Sequence, residues 1–140
     1  MNIMAFEGGR GLPCEAEGRN RFLYLVQFKD RLKIGVTYRP AGRIAQLRAA
    51  CGLPICVWLT LQNGFDASDR ENIISRILGG PTGTPGRFSE WLCPEGVGAA
   101  LSVMAAPLAP PDRLRRSRRL LKAEARRLAQ DPAPQAGAAA

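Results

Sequence analysis

The sequence has no histidine among its 140 residues, and that absence removes whole classes of chemistry. Ser-His-Asp and Cys-His hydrolysis, HExxH metalloproteases and nucleases that activate water with an imidazole are all excluded. Any hydrolysis must run on carboxylates, tyrosine, lysine, arginine and a metal ion. The four cysteines, Cys14, Cys51, Cys56 and Cys93, form no Cys-x-x-Cys pair, and a mixed zinc site has no imidazole to complete it. Free thiols in a reducing compartment are the expectation, buried at Cys51 and Cys56, which adjoin apolar stretches. No apolar run approaches the ~18 residues of a membrane span, and the first residues lack the basic-then-apolar pattern of a signal peptide. A cytoplasmic protein with no membrane partner is expected.

Acidic residues are also few, 12 against 20 basic, and the net charge of +8 is unevenly placed. Residues 112–130 contain Arg113, Arg115, Arg116, Arg118, Arg119, Lys122, Arg126 and Arg127 against Asp112 and Glu124, whereas residues 1–111 are nearly balanced. A basic segment attached to a balanced domain implies a polyanionic partner, nucleic acid first. Leu114, Leu121 and Leu128 recur every seven residues there, so the segment reads as a basic amphipathic helix. It suits a phosphate-backbone clamp without sequence readout, or a docking helix for a protein partner. It lacks the Trp or Phe anchors of a membrane-surface helix.

Along the chain, residues 1–20 read as a flexible leader. Residues 21–28 (RFLYLVQF) form a strand, and a polar turn joins it to a second strand, LKIGV at 32–36, as an antiparallel hairpin. Thr37 is placed to cap a helix from about 40 to 51, with Ile44, Leu47 and Cys51 on one face and Gly52 as its stop. A third strand spans 53–61, with a turn at 62–64. A second helix spans 67–78, with Ile73, Ile74, Ile77 and Leu78 as its core face. Residues 79–86 (GGPTGTPG) read as a loop, and 88–92 (FSEWL) return to the domain. Residues 95–106 form a covering helix, 107–111 a Pro-rich linker and 131–140 a disordered tail. The fold class is α/β, more closely α+β, built as β-β-α-β-α with a three-stranded, mainly antiparallel sheet.

In that order, FLYLVQF, KIGVT, PAGRIAQLRAACG, DRENIISRIL and SEWL resemble a small GIY-YIG nuclease domain. The similarity is to the short phage and bacterial branch, the meiotically up-regulated gene 113 type, and covers residues 21–93. It implies a DNA endonuclease or nickase that uses one divalent cation, Mg²⁺ or Mn²⁺. By position, Tyr24 stands for the tyrosine ending the first motif and Gly35 for the glycine of the second. Arg43 is the arginine of the first helix, and Glu71 is the metal-binding glutamate of the second. Lys33 occupies the place where the wider family has a tyrosine. Ser75 falls where many relatives have histidine, and no late asparagine is evident.

These residue types suit phosphodiester chemistry. Arg43 can hold a phosphate bidentately and stay charged at any working pH. Glu71 can bind a hard cation through one carboxylate, leaving water and phosphate to complete the shell. Tyr24 or Lys33 can orient the attacking water, but either needs a lowered pKa to act as a base at neutral pH. Gly35 lets backbone approach phosphate closely. Each also has a plainer explanation. Ser68-x-x-Glu71 is a capping box, Arg43 a solvated helix residue, Tyr24 a core aromatic and Gly35 a bulge. Glu90 and Trp91 close the core, with an exposed Glu90 able to assist a metal. Two further readings stand beside the nuclease: a DNA-binding module that does not cut, and a small protein-interaction adaptor.

Overall fold

Residues 22–26 (FLYLV) are apolar at every position, the pattern of a strand covered on both faces. A computed structural model, which describes residues 2–106, places them at the centre of an antiparallel sheet. The expected linker at 107–111, the expected basic helix at 112–130 with its eight arginine and lysine residues, and the expected tail at 131–140 lie outside the described residues.

The described residues form a mixed α+β fold with six strands and three α-helices. The strands are β1 (Met4–Glu7), β2 (Asn20–Gln27), β3 (Leu32–Thr37), β4 (Cys56–Asn63), β5 (Gly79–Pro81) and β6 (Phe88–Leu92). The helices are α1 (Pro40–Cys51), α2 (Gly64–Leu78) and α3 (Val97–Ala105), the last entered through a 3-10 turn at Pro94–Gly96. Sheet order is β1-β4-β2-β3-β6-β5, with every neighbouring pair antiparallel. Among the described residues no helix is long and apolar enough to cross a membrane.

The sheet is therefore six-stranded, not three-stranded. Residues 1–20 are not only a leader: Met4 to Glu7 pair with Leu59 to Cys56 and cover the free edge of β4. Part of the expected loop at 79–86 is β5, which pairs with β6. Both additions are short edge strands, which bury little and carry weak alternation in sequence. The third strand starts at Cys56, three residues late, because Leu53 and Ile55 are exposed and Pro54 cannot donate to a ladder.

Alternation along β2 divides the core into two layers. Leu23 and Leu25, with Leu32 and Ile34 of β3, pack against Ala67 and Ile74 of α2 and against Ala100 and Met104 of α3. Phe22, Tyr24 and Val26, with Val57 and Leu59 of β4, pack against Ile44 and Leu47 of α1. Each Leu, Ile, Val, Phe or Met among them contributes roughly 1.5–3 kcal/mol on full burial. The consequence for the site is that α1 and α2 lie on opposite faces of the sheet.

Local rules set the helix ends. Pro40 opens α1, and Gly52 (φ 89°) ends it with an N–H donated to the Arg48 carbonyl at 2.9 Å. Thr37 does not cap α1. Its hydroxyl accepts the Arg39 N–H at 3.0 Å and tightens the turn before the helix, while Arg39 occupies the cap position. The expected turn at 62–64 is absent, since β4 runs directly into α2. Asn63 Oδ1 accepts the Asp66 N–H at 2.9 Å and Asn63 Nδ2 donates to Asp66 Oδ2 at 2.8 Å, so these two residues cap the helix. Ser68 and Glu71 lie inside α2, and the Ser68-x-x-Glu71 capping box does not form.

The buried face of α2 also differs from expectation. Ile77 is 62% exposed, whereas Arg70 is fully buried. Arg70 Nη1 donates to Gln62 Oε1 and Nη2 donates to the Ala106 carbonyl, tying α2 to β4 and to the end of α3. Gln62 Nε2 in turn donates to Thr60 Oγ1 at 2.7 Å. Cys51 and Cys56 are half-buried rather than buried, and Cys14 and Cys93 are exposed.

Replacing the cap residue tests this account of α2. Asn63→Ala should cost about 1 kcal/mol in urea denaturation, while Ser68→Ala, at an exposed position inside the helix, should leave the midpoint nearly unchanged.

Candidate active site

The ladder between β3 and β6 covers only two residue pairs, Leu32↔Leu92 and Lys33↔Trp91. Where it ends, groups from the two faces of the sheet meet. Lys33 is 6% exposed, and an ammonium at such depth needs a partner. Its Nζ donates to Glu90 Oε2 at 2.6 Å. The Lys33 ammonium also lies 5.1 Å from the Trp91 ring centroid, and Arg31 sits over the same ring at 4.0 Å. Trp91 is braced by Phe28, with ring centroids 6.1 Å apart.

Glu90 has a second partner. It shares a hydrogen bond with Glu71, which reaches it from α2. Two adjoining carboxylates cannot both ionise cheaply. Burial pushes the Glu71 carboxyl up to about 7, helped by the hydrogen bond and the negative charge of Glu90, while Lys33 opposes the rise. Burial acts the same way on Glu90, but the hydrogen bonds from Lys33 and Glu71 outweigh it and hold Glu90 below its usual value. The shared proton therefore resides on Glu71, and Glu90 accepts it.

On the α1 side, Arg43 Nε donates to the Tyr24 hydroxyl at 3.2 Å, and Arg43 Nη1 donates to Gln46 Oε1 at 3.1 Å. Burial raises the Tyr24 pKa above 10.0; Arg43 works against this, and Glu90 and Glu71 add to it. That direction leaves Tyr24 a neutral phenol at neutral pH, able to orient a group but not to deprotonate water. The hydrogen bond to Tyr24 holds Arg43 more firmly protonated.

Gly35 lies directly opposite Tyr24 in the β2–β3 ladder, which runs without a bulge. A Cβ at residue 35 would overlap the hydroxyl end of the Tyr24 ring. The space over this glycine is filled by the phenol, so its bare backbone is what lets Tyr24 lie across the sheet toward Arg43.

The structure thus gathers Tyr24, Lys33, Arg43 and Glu71 around one charge network and adds Glu90 at its centre. Glu90 links the two faces; the sequence offered it as a closing residue of SEWL that could assist a metal if exposed, and it is 47% exposed. Ser75, at 7% exposure, is buried in α2. Arg113, Arg115, Arg116, Arg118, Arg119, Lys122, Arg126 and Arg127 lie outside the described residues. A cavity of about 300 Å³ beside the Gly8–Gly11 turn is lined by Ala41, Ile44 and Arg48 among others, and shares no residue with this network.

No protein-family model, curated protein or solved structure matches the chain.

Among the described residues no group of three or more His, Cys, Asp or Glu forms a ready-made metal cage. The donor set that does exist is a carboxylate pair holding one proton between them. A hard divalent cation binds through one or two carboxylates with water and substrate oxygens, and it would replace that proton and neutralise the excess charge. On this chemistry Glu71 and Glu90 fit such an ion.

The raised Glu71 carboxyl has a thermodynamic consequence. The folded state binds its proton more tightly than the unfolded chain, so the associated stability is complete below pH 4.5 and is lost as pH rises through about 7. The depressed Glu90 titrates below 4.5 and leaves this window clear. No histidine titrates within it. In EDTA, the melting temperature should fall by ~4 °C or more between about pH 5 and 8, and Glu71→Gln should flatten the profile. Parallel profiles for the two proteins would contradict the shared proton.

Proposed function

We propose that the chain is a divalent-metal-dependent DNA endonuclease or nickase of the GIY-YIG type. The observation that carries this reading is the convergence of Arg43 and Tyr24 from one face of the sheet with Lys33, Glu90 and Glu71 at the end of the β3–β6 ladder. The succession of hairpin, α1, β4 and α2 fits what the motif resemblance implies.

A divalent cation held by Glu71 and Glu90 would supply Lewis-acid stabilisation of charge developing on phosphate and leaving oxygens. Arg43 receives the phosphate. Its Nε is committed to Tyr24, so the donors it offers are on Nη2 and the second hydrogen of Nη1. Tyr24 fixes the guanidinium plane, and its neutral hydroxyl can also accept or orient a water molecule. Lys33 holds Glu90 in its ionised form and in place. Glu90, an ionised carboxylate 47% exposed, can hold the cation and accept a hydrogen bond from a water beside it. In this scheme the basic segment at 112–130 supplies affinity for the DNA backbone.

Incubation with supercoiled plasmid and Mg²⁺ or Mn²⁺ should convert it to the nicked form, and EDTA should stop the reaction. Glu71→Gln and Arg43→Ala should each lower the rate by roughly 100-fold or more. A wild-type protein that binds DNA yet shows only the background of Glu71→Gln would instead be a binding module on this fold.

Deleting residues 112–140 should weaken plasmid binding and flatten its dependence on salt, by about 0.9 in log–log slope for each phosphate that the segment neutralises. An unchanged slope would remove the clamp role from this segment.

A further inference from the structure

Tyr38 joins β3 to α1 and is 44% exposed. A single exposed tyrosine means little by itself. This one has two guanidinium groups beside its ring, Arg21 at 5.4 Å and Arg39 at 5.3 Å from the centroid. Both sit over the ring within cation–π reach, farther out than Arg31 is from Trp91 at 4.0 Å, and Tyr38 keeps its exposed surface. Among the described residues neither arginine pairs with a carboxylate.

The group is held in place. The Tyr38 carbonyl accepts the Ala16 N–H at 2.7 Å, and the Thr37 hydroxyl accepts the Arg39 N–H at 3.0 Å. Arg21 Nη1 donates to the carbonyls of Gly18 at 2.9 Å and Asn20 at 2.6 Å. The backbone of Tyr38 and Arg39 and the guanidinium of Arg21 are therefore held, which keeps an exposed aromatic ring beside two cations that have no carboxylate partner among the described residues. They also adjoin the candidate active site. Arg39 precedes Arg43 by one helical turn, and the Arg43 N–H donates to the Arg39 carbonyl at 3.0 Å. Side chains so spaced start about 5–6 Å apart, close to one or two nucleotide steps of about 3.4 Å.

We propose that Arg21, Tyr38 and Arg39 form a subsite for single-stranded DNA, in which an unpaired base stacks on Tyr38 and the arginines take the adjoining phosphates. Every base has a π-face, so such a platform tolerates any sequence. Bases inside an intact duplex are stacked on their neighbours and offer no free face to it. The subsite therefore favours DNA with unpaired nucleotides beside the scissile bond, such as a flap, a gap or a frayed end. Placing the scissile bond at Arg43 rests on the nuclease reading; binding at Tyr38 does not.

Fluorescence anisotropy of the full chain in EDTA, with labelled oligonucleotides, separates the two. Tyr38→Ala should weaken single-strand binding roughly tenfold and leave blunt duplex binding unchanged, while Tyr38→Phe should bind like wild type. Arg21→Gln combined with Arg39→Gln should lower the single-strand salt slope by about 1.4, or about 0.7 per phosphate. The subsite is refuted if wild type does not bind single strands or if Tyr38→Ala is without effect. Equal weakening on both DNAs, or equal loss in Tyr38→Phe and Tyr38→Ala, also refutes it, as does an unchanged slope in the double arginine variant. The assay contains no metal, so failure here leaves the plasmid test standing, and failure to nick leaves the subsite standing.

Discussion

A buried lysine must find a carboxylate, and Lys33 finds one only because β6 lies beside β3. Much of the molecule follows from that ion pair. Glu90 is drawn to the ammonium, and its remaining acceptor capacity meets Glu71 across the end of a two-pair ladder. The helix on the far face thereby becomes electrically continuous with the strand pair and with Arg43 on the near face. Packing alone would keep these layers apart, since α1 and α2 bury against opposite sides of the sheet.

The same arrangement assigns different states to groups of similar type. Two glutamates a hydrogen bond apart divide into one that keeps its proton and one that is ionised, because Lys33 contacts only Glu90 directly. Tyr24, buried and facing both, is held neutral. Arg43 is the reverse case, a permanent cation whose orientation is set by a neutral phenol. Arg43 and Glu90 thus stay oppositely charged within one network without forming an ion pair among the described residues.

What the sequence disclosed follows how local each signal is. The β2–β3 hairpin was legible from dense apolar residues around a short polar turn, and the ends of α1 from Pro40 and Gly52. The strands β1 and β5 were not, because edge strands of four and three residues bury too little to leave a pattern. Asn63-Gly64 has the composition of a turn, yet Asn63 caps a helix; dipeptide identity alone does not separate the two uses. Arg70 was invisible because a lone cation on a helix is ordinarily solvated. Tyr24, Lys33, Arg43 and Glu71 were singled out through the motif resemblance, and the structure places them around one charge network. The place of Glu90 depends on a contact 57 positions distant, which no local pattern encodes.

Tyr24 and Gly35 face one another with no spare room, and the phenol occupies the volume that any other residue at 35 would need. The two positions therefore share one allotment of space. Sequence drift at either is confined by its neighbour, and the pair can exchange bulk only in a coordinated step. A chain keeping this sheet but enlarging residue 35 would have to shrink residue 24, and with it lose the hydroxyl that aims Arg43.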